Sequence, residues 1–212
     1  AQNHHSAMKN VANVRNNMKI MVTGGSGFIG TNLMEYLIKN EYDCINVDFK
    51  PPLDESHQDY WVDVDICKYA EFQNAVVKFG PTHIIHLAAK SGGIGVSKNN
   101  FQATLLTDNL KMMINILENS KNSKVKKVIL TLSSGMYPPN AKMPYKENSI
   151  HQGEVERGSY GYFYAKRLME PSIRAYRDQY NLDVIPVVMP SNTKGDFTTG
   201  VIKNLTKENS LE

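Results

Sequence analysis

The chain has 212 residues, of which 41% are hydrophobic and 21% charged, so it can form one globular domain with a sizeable core. Its net charge of +3 includes no long Lys/Arg run, which argues against nucleic-acid binding, and no apolar run of about 20 residues predicts a membrane span. Cys44 and Cys67 show neither metal-ligand spacing nor a disulfide framework, which favours a cytoplasmic protein.

Residues 1–17 are polar and lack hydrophobic periodicity, and we expect a disordered tail or a cloning remnant there. His4 and His5 lie inside this tail, and we expect no metal site from them. The folded part is predicted to be a dinucleotide-binding domain over residues 18–192.

The stretch from Lys19 to Leu37 predicts a strand, a glycine-rich turn and a helix in succession. Such a turn offers free backbone N–H groups to a pyrophosphate, so the stretch predicts dinucleotide binding. Gly30 is expected to let the helix pack closely on its strand. The residues expected to contact the dinucleotide here are Gly24, Gly27, Phe28 and Ile29.

Short apolar runs and longer amphipathic segments alternate along the rest of the chain. Further strands are expected at 43–47, 61–63, 83–89, 128–132 and 184–189, and further helices at about 67–79, 103–120 and 161–180. This alternation predicts an α/β fold with a Rossmann-type, doubly wound parallel sheet and right-handed crossovers. Ligands should bind at the carboxyl ends of the strands.

Asp48 closes the second predicted strand, about 20 residues beyond the glycine turn, where an acidic group meets the adenosine ribose. A carboxylate there accepts hydrogen bonds from both ribose hydroxyls and repels a 2′-phosphate, which favours NAD over NADP. Lys50 argues the other way, because a cation accommodates a phosphate. The alternative role for Asp48 is that of a solvated residue at the start of a loop.

Ser133, Tyr162 and Lys166 form a second candidate group. Tyr162 and Lys166 are four residues apart on a predicted helix and share one face, while Ser133 ends a buried strand. A neighbouring ammonium is expected to lower the pKa of the phenol, which would make Tyr162 a proton donor or acceptor near neutral pH. The serine hydroxyl can then hydrogen-bond to a reacting carbonyl.

The motif TGGSGFIG, followed by Ser133 and by YFYAK at 162–166, resembles the extended short-chain dehydrogenase/reductases. Within that group the chain is most similar to the GDP-fucose synthases, through residues 81–95, 132–138, 150–170 and 190–192. The resemblance implies that Ser133, Tyr162 and Lys166 are catalytic and that Lys166 also holds the cofactor ribose. The further residues that it places beside the cofactor are Asp65, Ile66, Leu87, Ala88, Ala89 and Asn109. Those beside the substrate are Ser134 and Asn192.

The resemblance implies hydride transfer between NAD or NADP and C4 of a nucleotide-linked 4-keto-deoxy sugar, by a homodimer. Two departures argue against epimerisation. Gly135 stands where the family has an acid/base cysteine, and the histidine that partners this cysteine in the family has no counterpart between Thr193 and Lys203. Residues 193–212 are expected to be a remnant of a reduced or missing substrate-binding portion.

Two alternatives to a reductase remain open. One is an epimerase that retains its NAD and makes no net redox change, which Asp48 favours. The other is a non-catalytic, dinucleotide-sensing protein on the same fold, against which the Ser/Tyr/Lys set argues. His83, His86 and His151 do not match the position of the missing histidine and are expected to be structural.

Overall fold

A computed structural model describes residues 17–91, 101–121 and 123–189. Within these ranges the strands are β1 (Lys19–Thr23), β2 (Asp43–Asp48), β3 (Trp61–Asp63), β4 (His83–His86), β5 (Lys127–Ser133) and β6 (Val184–Met189). The helices are α1 (Phe28–Lys39), α2 (Tyr69–Phe79), α3 (Gln102–Lys121) and α4 (Tyr160–Tyr180).

The strands form one parallel sheet in the order β3-β2-β1-β4-β5-β6. From β1 the chain winds outward to β2 and β3, then returns to the other side of β1 with β4. This order confirms the predicted doubly wound Rossmann sheet. The junction of β1 and β4 is its switch point, where the loops leave in opposite directions and a crevice opens.

The sheet is covered on both faces, which explains why its central strands are continuous apolar runs. One buried cluster joins Met21 and Ile84 to Met113 and Ile116 of α3. A second, separate cluster packs α1 against the sheet through residues such as Val22, Leu33 and Ile85. The two layers hold the carboxyl ends of the strands at one exposed edge.

Strand β4 is shorter than the predicted 83–89, since it ends at His86. The N–H of Leu87 still donates to the Thr23 carbonyl at 2.9 Å, but Ala88 lies against Gly24 of the glycine turn. The apolar run therefore continues past the point where strand pairing stops. Short 3₁₀ turns also occur outside the predicted strands and helices, at Glu55–Tyr60, Ser134–Met136, Glu147–Ser149 and Arg157–Ser159.

Several sequence predictions fall outside the described residues: the tail apart from Asn17, the GGIG stretch at 92–95, Asn192, and the segment 193–212. None of the helices in the described ranges is long and apolar enough to cross a membrane. Both cysteines are free thiols, and burial raises the pKa of Cys44 to about 12 and that of Cys67 to about 11.

Candidate active site

The glycine turn between β1 and α1 leaves no room for a side chain at two of its positions. Gly24 has a φ of 76°, in the left-handed region, and a Cβ there would lie 2.5 Å from the backbone nitrogen of Ala88. A Cβ on Gly30 would lie 2.2 Å from the Gly24 carbonyl oxygen, so this glycine brings α1 against the turn. These contacts support the predicted structural roles of both glycines.

The start of α1 fits a pyrophosphate group. Gly27 is the N-cap of the helix and is exposed, and a Cβ placed there would meet only the Gly24 carbonyl oxygen, at 3.3 Å. Phe28, the first helical residue, is 76% exposed. An anion can therefore approach the N-terminal N–H groups of α1 without displacing protein atoms.

Asp48 is buried and fastens the glycine turn to β2. Its Oδ2 accepts from the Ser26 N–H at 3.2 Å, and its Oδ1 accepts from the Lys50 N–H at 3.0 Å. An ionised carboxylate has about four lone-pair sites, so both oxygens can still accept from a ribose diol. This buried, hydrogen-bonded environment does not fit the alternative role of Asp48 as a solvated loop residue.

Asn109 of α3 holds the segment that follows β4. Its side-chain oxygen accepts from the Lys90 N–H at 3.1 Å, and its side-chain nitrogen donates to the Lys90 carbonyl at 2.9 Å. The residues just before this clamp, 87–89, pass beside the glycine turn. Asn109 thus has the geometry of a supporting residue for the expected cofactor contacts.

Asp65 and Ile66 follow β3 at the same edge of the sheet. The Ile66 side chain is buried in the core, and its carbonyl accepts from the Asn115 side chain at 2.7 Å. The Asp65 carboxylate accepts from the Cys67 N–H at 3.0 Å. These contacts explain the two residues by local structure alone, and their position near an adenine stays a prediction.

The structure brings Ser133 and Tyr162 together. The Ser133 hydroxyl lies close enough to Tyr162 to affect its pKa, although the two residues come from the end of β5 and the first turn of α4. Burial raises the pKa of Tyr162, and the hydrogen bond to Ser133 only partly opposes this. Tyr162 therefore keeps its proton near neutral pH. Ser134, the other expected substrate contact, begins the 3₁₀ turn that follows Ser133.

Lys166 lies beneath this pair and is 1% exposed. Its ammonium donates to the Thr131 carbonyl at 2.8 Å and lies 5.7 Å from the centre of the Tyr162 ring. Burial lowers the pKa of Lys166 to about 8. The expectation that Lys166 lowers the pKa of Tyr162 is wrong for this state, because the ammonium points at the carbonyl and burial dominates at the phenol.

A hydrogen-bond chain below the site was not among the features predicted from the sequence. The Thr131 hydroxyl donates to the His86 carbonyl at 2.8 Å, and His86 Nδ1 is 2.7 Å from the Thr23 hydroxyl. Together with the bond from Lys166, this chain links β1, β4, β5 and α4. His86 is fully buried, its Nε2 has no partner in the described part of the chain, and burial lowers its pKa to about 3. Polar residues near the ends of adjacent buried strands were the only available signal.

Comparisons with known proteins agree with this geometry. The chain matches the NAD dependent epimerase/dehydratase family over residues 20–209. A probable GDP-L-fucose synthase of Drosophila melanogaster is 34% identical over 182 residues, which are 84% of this chain and 52% of that protein.

Two solved structures from Campylobacter jejuni share the fold. A GDP-6-OMe-4-keto-L-xylo-heptose reductase superimposes with a TM-score of 0.71 at 27% identity, over 87% of this chain and 50% of that one. A GDP-mannoheptose C4 reductase with NADP bound superimposes with a TM-score of 0.70 at 26% identity, over 82% of this chain and 51% of that one. The chain spans about half the length of the curated relatives that it matches.

Proposed function

Because the chain belongs to the NAD dependent epimerase/dehydratase family, we propose that it transfers hydride between a nicotinamide cofactor and C4 of a nucleotide-linked 4-keto-deoxy sugar. The observation that carries this proposal is that Ser133, Tyr162 and Lys166 lie together at the carboxyl edge of the sheet. GDP is the favoured nucleotide, because the names of the relatives compared above all refer to GDP-linked sugars.

In the direction of reduction, a bound nicotinamide cofactor would supply the hydride that the carbonyl carbon accepts. Tyr162 gives its proton to the carbonyl oxygen, and Ser133 holds that oxygen by a hydrogen bond. Because burial raises the pKa of Tyr162, the phenol carries the proton that this direction requires at neutral pH. Lys166, whose ammonium lies 5.7 Å from the centre of the Tyr162 ring, would hold the cofactor ribose.

The cofactor would lie over the glycine turn, with its pyrophosphate at the start of α1 and its adenosine ribose at Asp48. The buried carboxylate of Asp48 disfavours a 2′-phosphate at close range, so we infer a preference for NAD(H). NADP is bound in one of the related reductases, and Lys50 is the residue of this chain that could accommodate its extra phosphate.

The test is to assay the protein against a panel of 4-keto nucleotide sugars with NADH or NADPH. The proposal requires stoichiometric consumption of reduced cofactor and formation of a 4-hydroxy product. Turnover of a nucleotide sugar with no net consumption would indicate the cofactor-retaining epimerase. Tight dinucleotide binding with no turnover of any sugar would indicate the sensing protein.

We further propose that the reaction proceeds without inversion at C3 or C5. Epimerisation next to a ketone needs one group to remove a carbon-bound proton and another to return it on the opposite face. Gly135 offers no such group, and Tyr162 is committed to the oxygen at C4. Incubation with substrate in D₂O without reduced cofactor should therefore give no deuterium at C3 or C5 above a protein-free control, as followed by NMR. Faster incorporation would refute this proposal.

The remaining expectations concern the protein in the cell. We propose that it acts in the cytoplasm as a homodimer, with a nucleotide sugar as its substrate and with no nucleic-acid or membrane partner. The unpaired, protonated thiols of Cys44 and Cys67 are compatible with a reducing compartment.

A further inference from the structure

The Phe163 ring fills the space that a side chain at position 135 would need. A Cβ built on Gly135 would lie 2.0 Å from Cε1 of the Phe163 ring and 2.5 Å from its Cδ1 and Cζ. Such distances are far inside van der Waals contact. The edge of the ring therefore stands where any side chain at position 135 would begin.

This contact lies directly beside the two hydroxyls of the candidate site. Gly135 follows Ser133 by two residues, and its N–H donates to the Ser133 hydroxyl oxygen at 3.3 Å. Phe163 follows Tyr162 on α4, and the two ring centres are 5.5 Å apart with planes tilted by 60°. The Phe163 ring thus touches the turn that carries Ser133 and the helix that carries Tyr162.

Phe163 is only partly buried, so part of its ring remains exposed. A benzene ring has no exchangeable proton and cannot act as an acid or a base. Because the ring packs on the turn that positions the Ser133 hydroxyl, its remaining surface forms an apolar wall on this side of the candidate site.

We propose that Phe163 is a specificity-determining residue, and that Gly135 is its obligatory partner. Phe163 makes the wall beside the reacting carbonyl aprotic, and the absence of a side chain at 135 is what allows it to lie there. This inference rests on the proposed function and adds to it a residue that selects between two reactions of one ketone.

The chemistry that the wall prevents is enolisation. In that step a base takes a proton from a carbon next to the carbonyl, the C–H electron pair forms the C=C bond, and the carbonyl oxygen becomes an enolate. With no base at the wall, the C–H bond stays intact. Hydride addition to the carbonyl carbon, with a proton from Tyr162 to the oxygen, is the reaction that remains.

A double-mutant cycle tests the packing. Gly135→Ala forces a Cβ into the ring and should lower the melting temperature and reduce kcat/KM for reduction by roughly tenfold or more. Adding Phe163→Ala to Gly135→Ala should restore part of both losses, since it removes the atoms that clash. A double variant no better than Gly135→Ala alone would overturn the pairing.

Gly153→Ala is the matched control. A Cβ there would lie 3.3 Å and 3.4 Å from side-chain carbons of Pro138, which can adjust slightly, and it is not near the ring. The effects of Gly153→Ala and Phe163→Ala should therefore add without rescue. Rescue of this control would also count against a specific Gly135–Phe163 contact.

Phe163→His tests the wall. An imidazole in place of the benzene ring puts a titratable base at the same point. In D₂O without reduced cofactor, this variant should incorporate deuterium next to the carbonyl at least roughly tenfold faster than the unmodified protein. A folded Phe163→His variant that reduces substrate but gives no exchange would refute the placement of Phe163. If the unmodified protein reduces no 4-keto sugar, the proposed function fails instead, while the melting temperatures still decide the pairing.

Discussion

Removing a single oxygen atom from Tyr162 should separate its chemistry from its packing. We expect Tyr162→Phe to lower turnover by roughly 10²-fold or more, the usual effect of deleting a positioned general acid, with cofactor affinity nearly unchanged. Tyr164→Phe is the matched control, because the Tyr164 hydroxyl bonds to Glu154 instead of Ser133. Near-normal activity of Tyr162→Phe would exclude the proposed role.

At Asp48 the expected result is a cofactor preference. NAD(H) should raise the melting temperature more than NADP(H) at equal concentration, since tighter binding to the folded state stabilises it more. Asp48→Ala should narrow this difference by removing the repulsion of the 2′-phosphate, and it should also loosen the turn by freeing the Ser26 N–H. An unmodified protein that binds NADP(H) equally well or better would contradict the expected preference.

Spacing along the sequence identified the face that Tyr162 and Lys166 share, but it could not give the direction of the ammonium. The distance from Lys166 to the Thr131 carbonyl depends on how α4 packs on β5, which no local pattern encodes. The same limit applies to Gly135 and Phe163, whose contact is made across two elements. The candidate residues could thus be named from the sequence, but the distances and directions between their side chains could not.

The residue that ends α2 allows backbone strain to be measured separately from side-chain packing. Gly80 caps this helix with a φ of 64°, and a Cβ there would meet nothing within 4 Å. Gly80→Ala should therefore cost about 1 kcal/mol of unfolding free energy from the left-handed conformation alone.

Gly80→Asn provides the comparison for that loss. Asparagine tolerates the left-handed region, as Asn181 shows at the end of α4 with a φ of 52°. Denaturant unfolding should rank the unmodified protein first, Gly80→Asn next and Gly80→Ala last. Equal stability of all three would show that the backbone relaxes at this position.

Elements with strong periodicity were predicted well, because burial on one or both faces fixes the pattern of apolar residues. Strand β1, the glycine turn and α1 follow the expected order, as do the strands and helices after them. The end of β4 was missed because apolarity outlasts strand pairing there. Three of the four 3₁₀ turns begin at a side-chain cap, such as that of Asp54 on the Ser56 N–H at 2.9 Å, and hydrophobic periodicity does not report such caps.

For the molecule as a whole, buried His86 should make stability depend on pH. Its pKa of about 3 in the folded state lies below the ordinary value of 6.5, so between these values the unfolded chain binds more protons. Stability is therefore lost as the pH falls through this window, by about 2 kcal/mol from this residue between pH 7 and pH 5.

The measurement compares the unmodified protein with His86→Asn by denaturant unfolding at both pH values. Whatever its stability at pH 7, the variant should lose about 2 kcal/mol less on acidification, because its side chain takes up no proton. Equal losses in the two proteins would show that His86 is protonated in the folded state.

The contact between Thr23 and His86 also has a kinetic consequence. These two residues lie 63 positions apart, and their strands cannot pair until the intervening chain has closed a loop of that length. Thr23 meets Val47 of β2 across a much shorter loop, so the half of the sheet built on β1 and β2 can form earlier. Pairing of β1 with β4, which also forms the crevice proposed for the cofactor, is then a late step in folding. A refolding chain should regain the β1–β2 half of its sheet before it can bind the cofactor.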